Sequence, residues 1–137
     1  MKIRRKARET AFKILFAVDI GKNSLPDVVS LFQYEPPVAM DYALKLVRGT
    51  LEHIKEIDQK IAGLLENWDF NRISAPDKEI LRLALYEIDY LDEVDDGLAV
   101  YEAVEIAKKY GTDNSKDFVN GILRSYLRRT QNESEKA

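Results

Sequence analysis

The chain has no cysteine, a single histidine and a single tryptophan among its 137 residues. Without thiols it can form neither a disulfide scaffold nor a thiolate metal site, and it has no cysteine nucleophile; this composition fits a reducing compartment. No apolar run approaches the ~20 residues that a membrane-spanning helix needs. The basic N-terminus is not followed by the apolar stretch and small-residue cleavage site of a secretory signal. Glycines number six and are scattered, so no glycine-rich phosphate loop is formed. The lone His53 sits between Glu52 and Ile54 in a helical pattern, where a surface or boundary role is expected rather than catalysis. Asp95-Asp96 and the pair Glu102 and Glu105 lack further ligands at metal-binding spacing. An enzyme is therefore not expected.

What the chain does have is segregated charge. The net charge is -3. Residues 1–13 nevertheless carry Lys2, Arg4, Arg5, Lys6, Arg8 and Lys13 against Glu9 alone, a net +5. Residues 108–129 carry Lys108, Lys109, Lys116, Arg124, Arg128 and Arg129 against Asp113 and Asp117, a net +4. The stretch between them has a net charge of -11. If the two basic ends adjoin in space, they form one positive face on an acidic body, the footprint expected for a polyanion. The competing reading is of ordinary solvated helix faces.

Apolar spacing is helical nearly throughout, with no alternating strand pattern and no internal repeat, so the fold class is all-α. Ala7, Ala11, Ile14, Leu15 and Val18 mark a first helix, with Gly21 expected as its left-handed C-terminal residue. Pro26 opens a short second helix through Phe32, and Glu35-Pro36-Pro37 breaks it. Helical spacing then runs from Met40 to Trp68, as one bent helix or two. Ser74, with Pro76 and Asp77 behind it, reads as an N-terminal cap. Ile80, Leu81, Ala84, Leu85, Ile88 and Leu91 give the next helix a wide apolar stripe, the mark of the most buried helix. A helix from about Ala99 to Tyr110 stops at Gly111. A last one, capped by Asn114 or Ser115, carries Phe118, Val119, Ile122 and Leu123. Residues 130–137 are polar and read as a frayed end.

The basic opening is the strongest functional candidate. Helical spacing places Arg5, Arg8, Phe12 and Phe16 along one flank, beside the core stripe. Guanidinium groups reach phosphates with several donors and stack on bases, and aromatic neighbours add stacking surface. Core packing remains the alternative for Phe12 and Phe16. For the arginines, a solvated helix start is disfavoured because positive charge at a helix N-terminus opposes the macrodipole.

Three stretches together, RRKARETAFKILF, WDFNRISAPDKEILRLALYEI, and EAVEIAKKYG followed by KDFVNGIL, resemble the NusB family of transcription antitermination factors. Order and spacing match from Arg4 to Leu123. The resemblance implies one NusB-like RNA-binding domain over residues 1–137, with two packed helical subdomains at about 1–70 and 71–130. It implies binding of single-stranded boxA RNA in ribosomal RNA operon transcripts, together with the small-subunit ribosomal protein NusE. In the antitermination complex this promotes read-through by RNA polymerase in the cytoplasm, with no cofactor, no metal and no membrane. A homodimer formed over the RNA face is an open alternative. Carried over residue by residue, Arg4, Arg5, Lys6 and Arg8 match the family's arginine-rich RNA motif. Asn114, Lys116 and Phe118 lie where RNA contacts are expected near the last helix. Phe16 matches a position associated with RNA or NusE, and Asp77 an acidic position facing NusE. Asn120 and Gly121 are read as structural, and Trp68, Arg72, Leu81 and Leu83 as packing and subdomain joining.

The chain departs from the family pattern in the turn DEVDDGLAV, which lacks a usual proline near Asp95 and a basic residue near Gly97. Tyr101 stands where an asparagine is common. Two rival readings exist. One is the RNA-binding module fused to ribosomal RNA cytosine methyltransferases; the end at Ala137 and the lack of cysteine favour a free-standing factor. The other is a helical protein-binding scaffold.

Overall fold

A computed structural model describes residues 2–65 and 69–136, without the side chains of residues 2 and 134–136. Among them lie seven α-helices and one 3-10 turn, with no strand. They are α1 (Lys2–Asp19), α2 (Leu25–Ser30), α3 (Pro37–Glu52), α4 (Ile54–Leu64), the turn Phe70–Arg72, α5 (Ala75–Tyr90), α6 (Asp96–Tyr110) and α7 (Ser115–Lys136). The expectation for Trp68 lies outside the described residues.

Local chemistry sets the helix boundaries. The Ser24 hydroxyl accepts the Asp27 N–H ahead of α2, and Ser74 does the same for Asp77 N–H ahead of α5; each helix has proline in its first turn. Asp95 caps α6 by accepting the Leu98 N–H. The long run after Met40 is two helices, broken at His53, whose backbone (φ -108°, ψ 18°) leaves α geometry. Apolar spacing alone could not reveal this, because the His53 and Ile57 N–H groups keep helical hydrogen bonds to Gly49 and His53 across the break.

The end of α1 differs from expectation. Lys22 (φ 56°), and not Gly21, is the left-handed residue. Gly21 is glycine for lack of room: a Cβ there would stand 2.6 Å from the Ala17 carbonyl oxygen and from the Asn23 amide nitrogen. Helix α7 also runs through residues 130–136, past the end of its apolar pattern.

Helix α5 is the hub. It touches α1, α3, α4, α6 and α7, and it buries a continuous run from Glu79 to Glu87. Such complete burial is the outcome its wide apolar stripe predicts. Against it, α3 comes so close at Gly49 that a Cβ would lie 2.0 Å from the Tyr86 ring. The core is filled by Ala7, Ile14, Leu46, Ile61, Leu81, Leu85 and Leu123, among others.

Buried charge ties the hub to its neighbours. Arg82 of α5 reaches Asp58 of α4 through two hydrogen bonds of 2.8 Å, Asp19 at the end of α1 at 3.1 Å, and Glu79 one turn back at 3.1 Å. Burial, reinforced by the neighbouring Asp19 carboxylate, pushes Glu79 up to about 8 even though Arg82 opposes the shift. The folded protein thus holds a proton on Glu79 that the unfolded chain releases near pH 4.5. Protons bound in excess by the native state make stability fall with rising pH. The contribution is complete below about pH 4.5 and is lost as pH climbs to about 8. Thermal melts of the wild type and Glu79→Gln between these limits should show the wild type's advantage shrinking toward alkaline pH. Parallel curves would contradict this assignment.

Candidate nucleic-acid interface

The basic start of α1 divides into two sets by helical phase. Arg4, Arg5 and Lys6 are exposed, whereas Arg8 is buried, with 4% of its surface accessible. The Arg8 Nε donates to both oxygens of Glu87 at 2.9 and 3.0 Å, and Nη1 reaches Glu102 at 3.5 Å. Burial alone would lower the guanidinium pKa, but the Glu87 carboxylate more than offsets it, so Arg8 stays charged inside the protein. Arg8 therefore lies on the inward face of α1 and joins α1 to α5 and α6. Phe12, expected on the same flank, is likewise buried.

The outward set is held more loosely. The Arg4 guanidinium lies 4.7 Å from the centre of the Tyr42 ring, and Tyr42 is fixed from below by its own hydroxyl, which donates to Glu87 at 2.6 Å. Arg5 bonds Glu102 through Nε and Nη2 at 3.1 Å, yet 53% of its side chain is exposed. Lys6 approaches Glu35 at 3.6 Å and is as open. Glu102 and Glu35 are buried, but the Arg5 and Lys6 ends of the pairs are half open to solvent, so their charges remain accessible to a ligand.

The start of the second basic segment adjoins the first. Lys109 and the Tyr110 hydroxyl, at the end of α6, both donate to Glu9 of α1, at 2.7 and 2.9 Å. The Lys13 ammonium stands 5.7 Å from the centre of the Tyr110 ring. Glu9 is held below the usual carboxylate range: its burial would raise the pKa, but these two donors and the nearby Lys109 charge outweigh it.

Two further cavities involve the sequence-predicted residues, with Pro76 on one and Asp77 on the other. The first, about 280 Å³, is lined by Phe12, Lys13, Phe16, Pro76 and Tyr110. Phe16 is half-buried there, 6.1 Å from the Phe12 ring. The second, about 440 Å³, is lined by Arg72, Ile73, Ser74, Asp77, Thr112, Asn114 and Phe118. Asp77 is 7% exposed, and its Oδ1 has no hydrogen-bond partner among the described residues. The structure thus brings Asp77 together with Asn114 and Phe118 in one cavity, not on a face of its own. Lys116 is exposed on the first turn of α7.

Arg72 was expected in packing but is exposed and lines the larger cavity; Leu81 and Leu83 are buried as expected. Tyr42 escaped the sequence reading. Its signal was the α3 position facing α1, which only tertiary packing reveals. Among the described residues no three or more His, Asp or Glu side chains gather as metal ligands, and no helix is long and apolar enough to cross a membrane.

The structure is an all-α body that carries an exposed basic helix start beside the end of α6, with two part-apolar cavities between α1, α5, α6 and α7. Comparison with known proteins gives the family. The NusB family model matches residues 5–128, and the chain belongs to the NusB family. It is 41% identical to the transcription antitermination protein NusB of Desulforamulus reducens, over 90% of this chain and 89% of that one. To the NusB of a Nitratiruptor species it is 38% identical over the full length of both. Among solved structures, T. maritima NusB superposes with a TM-score of 0.81 at 36% identity, covering 91% of this chain and 90% of that one. A chain from the crystal structure of the antitermination factors NusB and NusE with double-stranded RNA superposes with a TM-score of 0.83 at 30% identity, covering 94% and 98%.

Proposed function

We propose that this protein binds the boxA element of ribosomal RNA operon transcripts together with NusE, and thereby supports read-through by RNA polymerase in the cytoplasm. The observation that carries the reading is the outward set Arg4, Arg5 and Lys6 on an otherwise acidic chain, beside the end of α6. Family membership supplies the identity of the process. Phosphates of a single strand meet Arg4, Arg5 and Lys6, with Lys116 extending the basic surface. Asn114 and Phe118 offer an amide and a ring to a base at the larger cavity. Phe16 and Asp77 flank Pro76, where NusE and the strand approach each other. Arg8 takes part only by holding α1 in place. The protein works as a binding factor and not as an enzyme.

Titration with labelled boxA RNA and a scrambled strand, with and without NusE, tests the reading. We expect boxA to be preferred and NusE to tighten binding further. Phe118→Ala should cost ~1–3 kcal/mol of RNA binding with little change in salt dependence. A melting curve of that variant, taken alongside, separates a lost contact from a lost fold. Equal affinity for both strands, with no response to NusE, would contradict the proposal.

A further inference from the structure

Helix α6 turns Ala99, Val100, Ala103, Ile106 and Ala107 into the core. Tyr101 falls on the opposite face and is 52% exposed, one of few large apolar side chains left so open. Nothing in the core requires it. Tyr42 offers the contrast: its hydroxyl is bonded to buried Glu87 and its ring supports Arg4 at 4.7 Å. The Arg5 guanidinium, by comparison, lies 6.0 Å from the centre of the Tyr101 ring.

The Tyr101 neighbourhood is ordered from both sides. Glu102 fixes Arg5 through Nε and Nη2. Glu105, one turn beyond Tyr101, is held below the usual carboxylate range by the Lys108 ammonium at 3.2 Å and then by the Tyr101 hydroxyl. Glu105 and Arg5 also line a cavity of about 280 Å³ shared with Lys109. The ring is thus an oriented, solvent-facing plane with a half-exposed guanidinium at its side. That pairing suits a nucleobase and its phosphate, since every base has a π-face and guanidinium groups both stack and bond phosphate. An acidic peptide would satisfy Arg5 but would leave the ring without use.

We propose that Tyr101 is a base-stacking platform for the bound single strand, with Arg5 reaching the adjoining phosphate. The proposal rests on the RNA-binding reading above and extends the strand's path from α1 onto α6. Tyr101→Ala, Tyr101→Phe and Arg5→Ala, titrated with boxA RNA over a range of salt, test it. Stacking predicts that Tyr101→Ala weakens binding roughly five- to a hundredfold with the salt slope unchanged, while Tyr101→Phe stays within about twofold of wild type. A 2-aminopurine placed in the strand should lose its quenching in Tyr101→Ala alone. If Tyr101→Ala binds RNA like wild type while Arg5→Ala is weakened, the platform is overturned and the RNA reading stands. If Tyr101→Ala loses only NusE affinity, the ring serves a protein partner and the platform is overturned. If wild type and all variants ignore the RNA, both fall.

Discussion

Arg8→Ala should lower stability by ~3–5 kcal/mol, although arginine at a helix start reads as a surface residue. Removing the guanidinium leaves Glu87, 2% exposed, with the Tyr42 hydroxyl as its one remaining side-chain partner among the described residues, and Glu102 with the half-exposed Arg5. A buried carboxylate stripped of its cation keeps its desolvation cost and loses its compensation. For a chain of this size the loss corresponds to a fall in Tm on the order of 10–20 °C. Replacing Arg8 and Glu87 together by leucine should recover a large part of it, because no unpaired charge then remains at that pair. Melting the single and double variants checks this. A single variant as stable as wild type would show that the pair does not hold α1 to α5.

Arg82→Ala should also destabilise, for a related reason. Its guanidinium is the common partner of Asp19, Asp58 and Glu79, and so fastens the end of α1 and the middle of α4 to the hub helix. Asp19 and Asp58 keep partial exposure, which limits their penalty, and Glu79 is protonated when folded, so below about pH 8 it leaves no unpaired charge. The expected loss at neutral pH is therefore ~1–3 kcal/mol, the cost of buried polar groups left without their donor. Above about pH 8 the wild-type carboxyl ionises beside Arg82 and the variant lacks that partner, so the deficit should grow. Tm measured on either side of that pH tests both halves, and a loss independent of pH would count against the network.

These two arginines show what could be read in the sequence and what could not. The cap at Ser74 and the burial of α5 follow from local rules, and they are present in the structure. The role of Arg8 does not follow from such rules, since its acceptors lie 79 and 94 residues away. Periodicity placed Arg8 and Phe12 near the edge of the core stripe; long-range pairing decided on which side of that edge they fell. Asp77 was legible as a capped, acidic first-turn residue, but its shared cavity with Asn114 and Phe118 depends on how α5 meets the start of α7. Arg72 had no signal at all, because its exposure comes from a turn of three residues with no period to read.

The central claim is that the basic opening is divided, with Arg8 holding the fold while Arg4, Arg5 and Lys6 face phosphate. Its most direct test is the salt dependence of boxA binding by Arg5→Ala/Lys6→Ala, with folding verified by melting. For single-stranded RNA each neutralised phosphate contributes about -0.7 to the log-log slope. The double variant should bind every RNA more weakly and flatten the slope by roughly 1.4. A folded double variant with the wild-type slope would contradict the claim.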